Sequence, residues 1–196
     1  MHKEGLHILP AVIHTAKIKD HILIGHSDGG SIGIIYAGSP HAKGLKGLIT
    51  EAAHIFCEEL SVKSISQAKI NYERHDLRQK LEKYHGENTE NAFRGWNDVW
   101  LDPNFIHWNI EKYLPGINVP MLAIQGREDQ YGTLKQIESI KGSVKNVIPY
   151  IIADCQHSPH FEQPEKVLDI MARFIDKIIR LNLCKIQKGI HLDRDK

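Results

Sequence analysis

A chain of 196 residues, 41% of them hydrophobic and with a formal net charge of +1, can bury one core domain plus an addition. Its mixed charges form no basic stripe, which excludes the electrostatic footprint of a nucleic-acid binder. No apolar run reaches the roughly 18 residues that cross a bilayer, and His2, Lys3 and Glu4 open the chain without a signal-peptide core, so a cytoplasmic protein without a membrane partner is expected.

In chain order, Lys3 to Ala16 places Leu6, Leu9 and Ile13 on one helical face, with Pro10 near its start or at a kink. The apolar run His21-Ile22-Leu23-Ile24 reads as a strand and leads into Gly25-His26-Ser27-Asp28-Gly29. Ile32, Ile35 and Tyr36 follow at helical spacing. Strand, glycine-flanked serine and helix in this order form a nucleophile elbow, in which a strained serine needs small neighbours across the turn. Gly25, Gly29 and Gly30 are assigned that role. The competing account is an ordinary Gly/Ser/Asp loop between two core elements.

A second strand is read over Leu45 to Thr50, with Glu51 and His54 just beyond it. About seventy residues with helical periodicity then intervene, too many for an ordinary loop. Ile65, Ala68 and Tyr72 mark one helix, Leu77, Leu81 and Tyr84 another, and Ala92, Phe93, Trp96, Val99 and Trp100 a third. These form an inserted helical cap, and Trp96, Trp100 and Trp108 either fill its core or line a pocket. Pro120 to Ile124 reads as a buried strand ending in Gln125-Gly126-Arg127-Glu128-Asp129, and Val147 to Ala153 as another ending in Asp154-Cys155-Gln156-His157. Pro164 opens a last helix with Val167, Met171, Phe174, Ile175 and Ile178 on one face. The expected division is 1–54 and 115–182 for an α/β core, 55–114 for the cap and 183–196 for a charged tail.

A serine hydroxyl needs a base, and the base needs a carboxylate to hold its tautomer. The order Ser27, Asp129, His157 supplies all three, each just past a strand. Through Gly25-His26-Ser27-Asp28-Gly29-Gly30, Gln125-Gly126-Arg127-Glu128-Asp129 and His157-Ser158-Pro159-His160-Phe161-Glu162-Gln163-Pro164, the chain resembles the α/β-hydrolase superfamily in its capped serine branch. The resemblance covers nearly the whole chain. It implies a mostly parallel sheet with flanking helices, Ser27 as nucleophile, Asp129 as orienting acid, His157 as base and the Asp28 backbone N–H as an oxyanion donor. His160 is the second choice of base and Glu51 the runner-up acid. His54, Trp96 and Trp100 are candidate substrate contacts.

The implied chemistry is cleavage of an ester, thioester or related acyl bond of a small-molecule substrate through a seryl acyl-enzyme, with no cofactor and no metal. A C–C bond hydrolase shares this machinery. Only about twenty residues precede the elbow strand, whereas the resemblance implies further strands and a second oxyanion donor before it. A catalytically impaired remnant or an interaction module is therefore the alternative, and self-association through the exposed sheet edge is expected. The three cysteines, Cys57, Cys155 and Cys184, are read as reduced thiols, and the scattered histidines, His75, His85 and His107 among them, lack metal-ligand spacing.

Overall fold

The computed structural model describes residues 1–192. Four strands, β1 (His21–His26), β2 (Leu45–Glu51), β3 (Met121–Gly126) and β4 (Val147–Ile152), form a parallel sheet in the order β1-β2-β3-β4. The two central strands are buried along almost their whole length because both their faces are covered. Side chains alternate across the sheet, so Leu48, Met121 and Ala123 enter one core while Ile49, Leu122 and Ile124 enter the other.

Helix α1 (Leu9–Thr15) carries Pro10 in its first turn and is preceded by a π-helical turn, Glu4–Ile8. Pro10, which has no backbone N–H to donate, follows just after that turn. Leu6, Leu9 and Ile13 pack on the first core as their spacing predicted. Helix α2 (Asp28–Ala37) lies behind the elbow and buries Ile34, Ile35 and Tyr36 in that core.

Between β2 and β3 the insert folds as α3 (Glu59–Arg74), α4 (Leu77–His85) and α5 (Thr89–Trp100). Ile65, Ala68 and Tyr72 are buried on α3 as expected. On α5, however, the buried stripe is Phe93, Asn97 and Trp100, while Val99 faces solvent, and on α4 Tyr84 is 84% exposed. The stripe shifts because Asn97 turns inward to donate its amide N–H to the Ile65 carbonyl at 3.1 Å.

Helix α6 (Lys135–Ser143) covers the first core through Ile137 and Ile140. The short α7 (Pro159–Glu162) leads into α8 (Pro164–Leu192), whose Val167, Met171, Phe174 and Ile178 cover the second core. The last helix thus runs past the expected end of the core into the segment read as a charged tail, and 193–196 lie outside the described residues. The Cys184 side chain is likewise outside the description. No helix among the described residues is long and apolar enough to cross a membrane. Strand β1 forms one edge of the sheet and leaves Ile24 50% exposed.

Candidate active site

The carboxyl ends of all four strands converge, the usual location of a site in an open α/β sheet. At the end of β1, Ser27 adopts φ 53° and ψ −123°. A non-glycine residue in that region costs roughly 1–3 kcal/mol and must be held by its surroundings. Here the Ser27 N–H donates to the Glu51 carbonyl at 2.8 Å, and its own carbonyl accepts from the Ser31 N–H at 3.1 Å.

The glycines divide differently from the sequence reading. A Cβ on Gly25 would run into the Gly29 carbonyl and lie 2.7 Å from the Gly30 nitrogen, and one on Gly30 would lie 2.8 Å from the Ala53 Cβ. A Cβ on Gly29 would meet nothing within 4 Å, so that residue is not a steric requirement of the turn. Gly25→Ala is therefore expected to cost about 3 kcal/mol or more. Gly29→Ala, on a helix, should gain roughly 0.5–1 kcal/mol. Chemical denaturation reads both, and a silent Gly25→Ala would refute the steric account.

Ser27 Oγ lies 2.9 Å from His157 Nε2, and His157 Nδ1 lies 2.9 and 3.0 Å from the two Asp129 carboxylate oxygens. A carboxylate only accepts, so Nδ1 carries the proton and Nε2 presents its lone pair to the serine hydroxyl. Asp129 Oδ1 also accepts from the Tyr131 N–H at 2.8 Å and the Gly132 N–H at 3.3 Å. The carboxylate is thus fixed before it meets the imidazole.

The His157 loop is held from several sides. Glu162 accepts from the Gln156 N–H at 2.7 Å and the Ser158 N–H at 3.0 Å, one on either side of the histidine. Glu128 accepts from the Cys155 N–H at 3.0 Å. His26 donates from Nε2 to the His157 carbonyl at 2.8 Å, and burial lowers its pKa against the opposing pull of that bond. Glu162, Glu128 and His26 all lie within the motifs that carry the resemblance, but none of them is assigned a role there. Their anchoring role carried no sequence signal because each bonds a backbone group of the His157 loop rather than a side chain.

The second choices are placed elsewhere. His160 pairs through Nδ1 with the buried Glu51 at 3.2 Å, and its own N–H donates to the same carboxylate at 3.1 Å. Neither the alternative base nor the runner-up acid joins the Ser27 chain, because each satisfies the other. Burial pushes the Cys155 thiol up to about 11, which leaves it protonated and a poor nucleophile.

His54 is 3% exposed, and burial, followed by the charge of His157, lowers its pKa to about 4. Its neutral ring donates from Nε2 to the Tyr131 carbonyl at 3.1 Å, while buried Nδ1 has no partner among the described residues. Trp100 is 2% exposed, stands edge-on to His54 at 4.9 Å, and donates its indole N–H to both Asp28 carboxylate oxygens at 3.2 and 3.3 Å. Trp96 lines a cavity of about 330 Å³ with Leu77, Leu81, Phe93 and Tyr131, and the Tyr131 ring lies 4.7 Å from that of His157. The Asp28 backbone N–H stands in the first turn of α2, where N–H groups lack intrahelical partners.

No protein-family model matches the chain. It is similar to a proline iminopeptidase of Saccharolobus solfataricus, with 25% identity over 202 residues covering 84% of this chain and 64% of that protein. The chain therefore spans slightly less than two-thirds of that curated relative. Among solved structures it resembles a meta-cleavage product hydrolase from Pseudomonas fluorescens IP01, with TM-score 0.68 and 15% identity over 88% of this chain and 70% of that one. It also resembles an esterase from Rhodococcus sp. ECU1013, with TM-score 0.65 and 14% identity over 91% and 74% of the two chains.

Proposed function

We propose that this chain, which has a partial α/β-hydrolase fold, is a serine hydrolase cleaving an ester, thioester or related acyl bond through Ser27. The observation carrying this reading is the unbroken hydrogen-bonded series from Asp129 through His157 to a serine held at φ 53°. In the proposed reaction His157 Nε2 takes the hydroxyl proton as Oγ adds to the substrate carbonyl carbon. Collapse breaks the scissile bond, the leaving group takes that proton, and a water deprotonated by His157 releases the acid and restores Ser27. Asp129 keeps the imidazole in the required tautomer and balances its charge. The Asp28 N–H faces the developing oxyanion, and the helical insert acts as a cap.

A fluorophosphonate probe with intact-mass readout tests the proposal without assuming a substrate. One adduct on the native chain, absent from Ser27→Ala, is the expected result. No adduct on protein shown to be folded would sink the enzyme reading and favour the impaired remnant or interaction module.

A further inference from the structure

The two N–H groups that fix the Asp129 carboxylate belong to consecutive peptide units, Gln130-Tyr131 and Tyr131-Gly132. In a planar trans peptide the carbonyl and the N–H point in opposite directions, so anchoring the oxygen aims the hydrogen. Both oxygens are anchored by the helical insert. Ser64 Oγ donates to the Gln130 carbonyl at 2.6 Å. Ser61 Oγ donates to the Tyr131 carbonyl, which also accepts from His54 Nε2 at 3.1 Å. The two serines stand three residues apart on α3, which makes them neighbours on one helical face. Two hydrogen-bonded series therefore run from α3, each through one peptide, to Asp129 Oδ1, and bonds in such a series strengthen one another.

The next peptide is held from both ends as well. The Gly132 carbonyl accepts from Gln125 Nε2 at 2.8 Å, and the Thr133 N–H donates to Glu58 Oε2 at 2.9 Å. Glu58 immediately precedes α3, yet its carboxylate turns away from that helix to accept from the Thr133 hydroxyl at 2.6 Å and Gln136 Nε2 at 2.7 Å. Ser61 is wholly buried, so water has no access to take over its bond.

Resting on the serine hydrolase reading, we propose that Ser61 and Ser64 are positioning residues for the catalytic acid. They aim the Tyr131 and Gly132 N–H groups that hold the Asp129 carboxylate against His157 Nδ1. The insert is then a working part of the triad as well as a cover over it.

Ser61→Ala, Ser64→Ala and the double variant are compared with the native chain on 4-nitrophenyl acetate, chosen for its small acyl group. In the double variant kcat should fall on the order of tenfold while KM stays within about twofold, since a carboxylate set slightly askew weakens the base and leaves binding alone. The far-downfield proton resonance of the His157 to Asp129 hydrogen bond should shift or broaden in step, a readout that needs no turnover. Ser64→Thr, which keeps the hydroxyl, should retain native kcat and resonance. Ser66→Ala, which removes a hydroxyl bonded to the Val62 carbonyl within α3 itself, should change neither. An unchanged kcat and resonance in the folded double variant, a rise in KM alone, or an equal loss in Ser64→Thr or Ser66→Ala would each overturn the proposal. The single variants are read in the same way, so the test stands if the double variant does not fold. The serine hydrolase reading is judged separately, by the Ser27 adduct on the native chain.

Discussion

Asp129→Asn is expected to lower turnover of an activated ester by about 10⁴-fold, the scale on which a triad loses activity when its acid becomes an amide. The fold should survive, since the asparagine oxygen can still accept from the Tyr131 and Gly132 N–H groups. The new amide N–H₂ would then face His157 Nδ1 and draw its lone pair, which moves the ring proton to Nε2. There it points at Ser27 Oγ, and the base is lost without the geometry changing. Glu51→Gln is the control, because Glu51 is engaged with His160 rather than with the Ser27 chain. Steady-state hydrolysis of a 4-nitrophenyl ester reads both variants. A drop of less than tenfold in Asp129→Asn, or an equal drop in Glu51→Gln, would remove Asp129 from the role assigned to it.

Folding stability should fall as pH drops from about 6.5 towards 4, with His54 the largest contributor and the less buried His26 acting in the same direction. The folded pKa of His54, about 4, lies below the ordinary value of 6.5. Between those values the unfolded chain binds a proton that the folded chain refuses, so the stabilising contribution is complete above 6.5 and is lost on acidification. Burial of the ring makes the loss large, about 3 kcal/mol from this group alone. His54→Gln keeps a donor near the Tyr131 carbonyl and cannot titrate. Denaturant midpoints of the two proteins at a series of pH values should therefore diverge in slope across that window, with the variant the flatter. Parallel curves would show that His54 does not set the acid sensitivity.

The last turns of the insert show where pattern reading fails. Apolar spacing reads the α5 stripe as Ala92, Phe93, Trp96, Val99 and Trp100; Phe93 and Trp100 are buried, but Asn97 takes the buried face in place of Val99, where it bonds the Ile65 carbonyl on α3. Periodicity sees one helix at a time and cannot register a partner on another. The same limit explains the elbow: all three glycines looked equivalent, and only the path of the backbone separates Gly25, pressed against Gly29, from Gly29 itself, which faces open space.

By itself the sequence determined the parallel strands, the helical insert and the order of serine, acid and histidine, since these follow from residue spacing and local turn chemistry. It ranked His157 ahead of His160 and Asp129 ahead of Glu51, but spacing alone does not show which acid meets which histidine, because more than one candidate follows a strand. Tertiary structure decided by pairing Glu51 with His160, leaving Asp129 and His157 to each other and to Ser27. It also brought Trp100 of the insert onto Asp28, a hydrogen bond between residues 72 positions apart. Hydrogen-bond geometry depends on distances across the folded chain, and spacing along the sequence does not encode them.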